Sequence, residues 1–267
     1  MNRPDHHGPD VSPHPCVVIL AGGNGLRWQA PVKQQQADGI EQDATLTVTN
    51  KLLVDIGGRP LLWRTIDLLA AAGIANPVVY GNLDGLPETV RSFQPKEPPA
   101  EIIETFSSCI ELWTEADTVL FLLGDVVWSK AAIAQLLTAT RLAWQFFGKL
   151  GGNVFSGKTW PEIYAVRFRA SASPALISAA AQLSTQDVWR KKLWELYRVM
   201  LGLPVPLQLP DLGYIFYPPA SDHFCVVPDW TDDVDDLDEY LRLTRFLSNN
   251  PNALLGKPLR TEVGCDG

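Results

Sequence analysis

Charge is scarce in this chain. Asp, Glu, Lys and Arg make up 19% of its 267 residues, and the 22 bases are outnumbered by 30 acids. So low a charge with many large side chains excludes a disordered protein. A net charge of −8 gives no support to a nucleic-acid or anionic-membrane surface. No apolar run is long enough for a membrane span, and residues 1–15 are polar and rich in Pro and His, without the hydrophobic core of a signal peptide. Cysteine is equally thin: Cys16, Cys109, Cys225 and Cys265 are scattered, with no CxxC pair. That excludes a disulfide frame or a zinc site and points to reduced thiols in a cytoplasmic protein. What is abundant is apolar surface: 46% of residues, nine of them Trp, enough to bury a sizeable core.

The pattern along the chain is that of an α/β protein. Cys16-Val-Val-Ile-Leu-Ala21 is a continuous apolar run, β-branched in its middle, that stops at Gly22-Gly23, as a buried parallel strand does. Residues 29–50 are polar and aperiodic and read as a long functional loop. A helix follows, with Pro60 in its first turn, Leu62, Ile66 and Leu69 at helical spacing and Gly73 at its end. Strands are expected at Pro77–Tyr80, Glu101–Glu104 and Thr118–Asp125, and helices at Ser107–Ala116 and Ala131–Trp144. This alternation predicts a Rossmann-like three-layer α/β/α fold with a mostly parallel central sheet. The second half is less regular: a Gly-rich loop over 151–160, a strand at Glu162–Phe168, an amphipathic helix at Val188–Leu201 and a final helix at Leu237–Leu247, its buried stripe read as Leu237, Tyr240, Leu241, Thr244 and Leu247. We divide the chain into a disordered tail (1–15), a single domain (16–248) with a nucleotide-binding half (16–147) and an acceptor-binding half (148–248), and a C-terminal tail (249–267). The aromatic face of the helix over 188–201 is a candidate homo-oligomer interface.

The acid excess sits largely in one place. Asp229 to Glu239 holds seven acids and no base, and without it the net charge would be near zero. Asp236 and Glu239 have capping-box spacing ahead of the last helix, and Asp238 suits its first turn. Asp232, Asp233 and Asp235 precede the helix and have no such explanation, which makes them candidate metal ligands.

Two strand ends carry the other unusual residues. In open α/β sheets, ligands bind beyond the carboxyl ends of the strands. Leu20-Ala-Gly-Gly-Asn-Gly-Leu-Arg27 can turn sharply, offer free N–H groups to an anion and add a cationic fork. It is neither a P-loop nor a dinucleotide fingerprint. Leu123-Gly124-Asp125 puts a carboxylate at the rim of an apolar run, where it can hold a metal. Ser129 is the better cap for the next helix.

With those residues in view, the sequence resembles the nucleotidyltransferase family with the GT-A-like fold, which includes sugar-1-phosphate nucleotidyltransferases and MobA-like NTP transferases. Residues 20–27 resemble its LAGGxGxR loop. Asn50-Lys-Leu-Leu-Val-Asp-Ile-Gly-Gly-Arg-Pro-Leu-Leu62 resembles its KPLxPxxGxPLL segment, with Leu52 in place of Pro. Leu123–Asp125 resembles its Gly-Asp strand end, and Trp230–Asp236 its second acidic motif. The resemblance covers residues 16 to about 247. It implies a nucleotidyltransferase that moves NMP from an NTP to a phosphorylated acceptor, first of all a sugar-1-phosphate, with Mg2+ as cofactor and pyrophosphate released. It further implies a nucleotide site at Leu20, Ala21, Gly22, Gly23, Asn24, Gly25, Gly124 and Ser107 or Ser108, with Ser107 and Ser108 at a helix start. Arg27 and Lys51 would stabilise pyrophosphate, and Asp125 with Asp235, or Asp233 next, would hold the metal. Lys158, Trp160 and Tyr164 are candidates for the acceptor pocket. Two other readings stay open: a GT-A glycosyltransferase using an NDP-sugar, and a non-catalytic nucleotide-binding regulator.

Overall fold

The computed structural model describes residues 14–22, 50–81, 83, 85–94, 101–113, 116–138, 142–151, 155–156, 160–188, 191–205 and 221–254. Arg27, Gly23, Asn24, Gly25, Lys158, Cys265 and the loop over 29–49 lie outside them. Nine strands and six helices are described: β1 (Cys16–Leu20), α1 (Leu61–Ala71), β2 (Val78–Tyr80), β3 (Arg91–Phe93), α2 (Ile102–Ser108), β4 (Thr118–Leu123), β5 (Val126–Val127), α3 (Lys130–Leu137), β6 (Trp144–Lys149), β7 (Glu162–Arg169), α4 (Ser173–Thr185), α5 (Leu193–Met200), β8 (Phe224–Val226), β9 (Asp232–Asp233) and α6 (Leu237–Asn249). No described helix is long and apolar enough to cross a membrane.

Seven strands form one sheet in the order β3-β2-β1-β4-β7-β6-β8, and β5 pairs with β9 in a separate two-stranded ribbon. Within the seven-stranded sheet only β7 runs against its neighbours β4 and β6, and the other pairings there are parallel; the β5–β9 ribbon is antiparallel. The mostly parallel three-layer sheet expected from the sequence is therefore present. The continuous apolar runs of β1 and β4 follow from burial on both faces. Val18, Leu20, Val119 and Phe121 face a core covered by α2, α4 and α5. Val17, Ile19, Leu120 and Leu122 face a second core under α1 and α3. A third core gathers Val54, Ile56, Leu61, Val127, Trp230, Val234, Leu237 and Tyr240. It joins the segment after Asn50, the β5–β9 ribbon and α6. The chain continues past α6, with Ala253 buried in this third core.

Several expectations need correction. Glu101–Glu104 is not a strand. Glu101 and Glu104 form a capping box, and the apolar Ile102-Ile103 pair opens α2, so the cap decides a short apolar stretch that periodicity alone leaves ambiguous. The helix after Asp125 ends at Leu137, and Trp144 begins β6 instead. The strands β3, β6 and β8 and the helix α4 were not anticipated. Much of the aromatic face of the helix near 193–200, read as a candidate interface, is turned inward. Leu193, Leu196 and Tyr197 are buried in the protomer's own core, where Tyr197 packs on Phe146 and Phe224 at centroid distances of 5.3 and 5.7 Å. On α6 the buried stripe is Leu237, Tyr240 and Leu243, while Leu241 is 48% exposed.

The capping reading of the acidic segment holds for α6. Asp236 Oδ1 accepts from the Glu239 amide at 2.9 Å, and the Glu239 carboxylate accepts from the Asp235 amide at 2.6 Å. Asp236→Ala is expected to lower stability by about 1 kcal/mol, measured by urea unfolding. A change within experimental error would mean that tertiary packing, not the cap, sets this helix start.

Candidate functional site

The order of the sheet sets where a site can lie. From β1 the chain moves outward to β2 and β3, then jumps back to place β4 on the other side of β1. The carboxyl ends of β1 and β4 thus flank a topological switch point, where open α/β sheets leave a crevice. Leu20, Ala21 and Gly22 leave β1 at this edge, and Gly124 and Asp125 leave β4. Gly124 has a packing reason to be glycine: its amide donates to the Leu20 carbonyl at 2.9 Å, and a Cβ there would stand 2.8 Å from the same oxygen.

Lys51 reaches this edge from a single 3-10 turn over Lys51–Leu53. The Asn50 side chain caps the turn by accepting from the Leu52 amide at 3.0 Å. Leu52 in place of proline is thereby explained, since proline has no N–H for Asn50 to hold. Leu52 itself is buried beneath the turn. The Lys51 ammonium hydrogen-bonds the Asp125 carboxylate and lies 3.6 Å from Asp235 Oδ1. Burial acts to lower the Lys51 pKa, but Asp125, Asp235 and Asp233 together outweigh it and hold the amine above its ordinary value. Residues 51, 125 and 235, far apart in the chain, therefore form one charge cluster.

The β5–β9 ribbon brings the acids there. Val126 pairs with Asp233 and Val127 with Asp232, and the Val234 amide donates to the Asp125 carbonyl at 3.0 Å. Arg64 braces the other end of the ribbon. It is buried, donates to the Trp128 carbonyl at 2.6 Å and lies 5.8 Å from the Trp230 ring centroid. Burial pushes its guanidinium down to about 10. Ser129 caps α3 through the Ala132 amide, at 2.9 Å, and hydrogen-bonds Asp229. As expected, Asp125 is not the cap of that helix.

A second acidic group adjoins the first. Carboxylate oxygens of Glu162, Asp232 and Asp233 all lie within 4.8 Å of one another. A set of carboxylates offers only hard oxygen donors, the chemistry that suits Mg2+ or another hard divalent cation, so the residues present fit such an ion. Glu162 was not anticipated from the sequence. Tyr164, expected to wall a pocket, is instead buried, and its hydroxyl donates to Asp232 Oδ1 at 2.7 Å. Trp160 is 44% exposed, with its indole N–H 3.3 Å from Glu162 Oε1.

A β-bulge makes this group. Phe147 stands opposite Ala165, but Gly148 stands opposite Ile163, which leaves Tyr164 as the extra residue. Tyr164 and Ala165 then both face the second core, while Ile163 faces the first. The inserted residue turns Tyr164 and, two positions earlier, Glu162 towards Asp232; bulges commonly re-aim side chains in this way.

On the nucleotide side, Ser107 and Ser108 lie in the last turn of α2, not at a helix start. Ser108 Oγ is 3.1 Å from the Tyr80 hydroxyl, and the Tyr80 ring is the nearest neighbour that a Cβ on Gly22 would meet. Ser107 Oγ is buried with no hydrogen-bond partner among the described residues. Cys109 is buried, and burial pushes its thiol up to about 12, so it is an inert core residue.

The family model of the MobA-like NTP transferase domain matches residues 17–148. This span of the chain belongs to the MobA-like NTP transferase superfamily. Three solved structures share the fold of this chain. A protein from Bacillus anthracis described as a glucose-1-phosphate thymidylyltransferase has a TM-score of 0.53 at 11% identity, covering 86% of this chain and 94% of its own. The CTP:phosphocholine cytidylyltransferase of Streptococcus pneumoniae has a TM-score of 0.53 at 14% identity, covering 88% and 100%. The inositol-1-phosphate CTP transferase of T. maritima has a TM-score of 0.52 at 10% identity, covering 86% and 95%. A sequence search of the curated proteins finds no match. At these identities the structures speak to the fold, which is the GT-A-like nucleotidyltransferase architecture expected from the motifs.

Proposed function

We propose that this chain moves a nucleotidyl group from an NTP to the phosphate of a phosphorylated small molecule and releases pyrophosphate. The observation that carries the reading is the convergence of Lys51, Asp125 and Asp235 at the switch-point edge. A phosphoryl-transfer site needs one cation for the leaving group and paired carboxylates for a metal, side by side. The three solved relatives named above act, by their names, on phosphomonoester-type acceptors, which supports the acceptor class.

In this reading an acceptor phosphate oxygen bonds to the α-phosphorus as the bond to the bridging oxygen of pyrophosphate breaks. The protein positions the partners and neutralises charge. Backbone amides of Gly22, Gly23 and Gly25 cradle the NTP phosphates, with Leu20, Ala21, Asn24 and Gly124 shaping the turn. Ser107 or Ser108 contacts the nucleoside. Arg27 and Lys51 take up charge on the departing pyrophosphate. The Lys51 ammonium can exchange a carboxylate for a phosphate oxygen because its ion pairs are partly solvated, at 14–24% for the acids. Asp125, Asp235 and Asp233 hold Mg2+, and Asp232 and Glu162 adjoin them. When bound there, Mg2+ supplies Lewis-acid charge neutralisation at phosphoryl oxygens. Lys158 and Trp160 are assigned to the acceptor, while Tyr164 orients Asp232.

The test is pyrophosphate release with Mg2+, each of the four NTPs and a panel of sugar-1-phosphates, inositol 1-phosphate and phosphocholine. At least one pair should release pyrophosphate stoichiometrically with product. Nucleotide binding without release from any pair would overturn the reading.

A further inference from the structure

Arg64, Arg167 and Arg198 are all buried. Arg167 donates to the Leu136 and Thr138 carbonyls and Arg198 to the Pro204 carbonyl, so each ties down the chain near the end of a helix. Arg64 has a different setting. It is 7% exposed, and no carboxylate among the described residues forms an ion pair with it. Burial alone lowers its guanidinium, which stays charged at neutral pH. An apolar side chain of similar length would fill this place without desolvating a charge, so an arginine here calls for a reason.

Its position supplies one. Lys51 and its carboxylates reach the switch-point edge on two separate pieces of chain. Lys51 is carried by the 3-10 turn, which is fixed to α1: the Leu61 amide donates to the Val54 carbonyl at 2.9 Å, and Leu52 shares a core with Leu62 and Ile66. The acids are carried by the β5–β9 ribbon and the residues that flank it. Each of its strands has only two residues, too few to hold a register unaided. A slip by one residue would exchange the faces of Asp232 and Asp233.

Arg64 stands on α1 and reaches both strands of the ribbon at their common end. It donates to the carbonyl of Trp128, the residue after β5, at 2.6 Å. Its guanidinium lies 5.8 Å from the ring centroid of Trp230, just ahead of β9. The carbonyl bond holds one strand, the ring contact holds the other, and both are held to the helix that carries the Lys51 turn. A planar cation can do both at once, and an apolar side chain can make neither contact.

We propose that Arg64 is a positioning residue that locks the ribbon to α1 and so sets the distance from Lys51 to Asp125, Asp233 and Asp235. This rests on the nucleotidyl-transfer reading, in which those carboxylates hold Mg2+ and Lys51 meets the pyrophosphate.

The test compares Arg64→Met, Arg64→Lys and, as a control for losing any buried arginine, Arg167→Met, all in the full chain. Two quantities are read. One is hydrogen exchange at the Val234 amide, which donates to the Asp125 carbonyl, relative to the amides of β4. The other is the Mg2+ concentration that half-activates pyrophosphate release. Arg64→Met should speed the relative Val234 exchange and raise the Mg2+ requirement, each about tenfold. Arg64→Lys should fall between Arg64→Met and the unaltered chain. Arg167→Met should lower stability and leave both quantities nearly unchanged. Unmoved Val234 exchange in Arg64→Met, faster exchange with an unmoved Mg2+ requirement, or equal shifts in Arg167→Met overturn the proposal. If Arg64→Met does not fold, Arg64→Lys decides, and values equal to those of the unaltered chain overturn it. The two readings fail separately. Faster Val234 exchange in Arg64→Met, with no pyrophosphate released from any pair by the unaltered chain, removes the activity and keeps the lock. Pyrophosphate release with both quantities unmoved in Arg64→Met removes the lock and keeps the activity.

Discussion

Asp125→Asn is expected to lower the rate of pyrophosphate release by about two orders of magnitude or more, with an unfolding curve close to that of the unaltered protein. The substitution keeps shape and removes charge. Asp125 bonds the Lys51 ammonium, is one of the two carboxylates flanking it and is a proposed metal ligand. Asparagine would leave Asp235 as the only formal charge directly on Lys51 and would weaken the hold on a divalent cation. The fold should tolerate the change because the structural bond of Asp125 is made by its backbone carbonyl, which receives the Val234 amide at 3.0 Å. The side chain is partly exposed, so losing its ion pair should cost at most about 1 kcal/mol. The checks are initial rates across a range of Mg2+ concentrations and urea unfolding of both proteins. Near-normal turnover would show that the metal and phosphate chemistry lies elsewhere.

Gly148→Ala is expected to destabilise the protein by about 2–3 kcal/mol and to depress activity as well. A Cβ on Gly148 would overlap the Glu162 carbonyl oxygen and stand 2.9 Å from Ile163 Cα. These are backbone atoms of a paired strand, so no rotamer change relieves the overlap. The strands must separate or the bulge must be lost. Without the extra residue, strict alternation would turn Tyr164 and Glu162 to the opposite face of the sheet, away from Asp232. Stability is read from urea unfolding and the functional consequence from pyrophosphate release. Unchanged stability would mean that the β6–β7 register is softer than its close backbone approach implies. Lost stability with full activity per folded molecule would mean that Glu162 and Tyr164 have no part in the chemistry.

The contrast between Asp125 and Glu162 shows what kind of site residue can be read before folding. Asp125 was legible because an isolated carboxylate ends a six-residue apolar strand, and its context needs only local pattern. Lys51 was legible through the resemblance of residues 50–62, and Asp235 and Asp233 through the acids that helix capping did not absorb. Glu162 was not. It opens an ordinary strand, and the face it presents depends on a one-residue bulge between partners fifteen or more positions apart. Likewise Ser107 and Ser108 were assigned to the correct helix region but to the wrong end of it, because the Glu101–Glu104 cap starts α2 earlier than the hydroxyl residues suggest. Tyr164 was noted as an aromatic, yet its use is its hydroxyl, held by Asp232.

The sequence by itself determined the layered architecture, because the apolar runs at 16–21 and 118–123 are satisfied only by burial on both faces. It also determined the strand-end motifs and the caps of α3 and α6, which depend on residues within four positions of each other. Tertiary structure alone decided which charges meet. The β5–β9 pairing, the third core and the β6–β7 bulge bring Lys51, Asp125, Asp235, Glu162, Asp232 and Asp233 to one edge of the sheet. Electrostatic energy depends on separation in space, and separation in space between distant residues is set by register and packing, which no local pattern encodes.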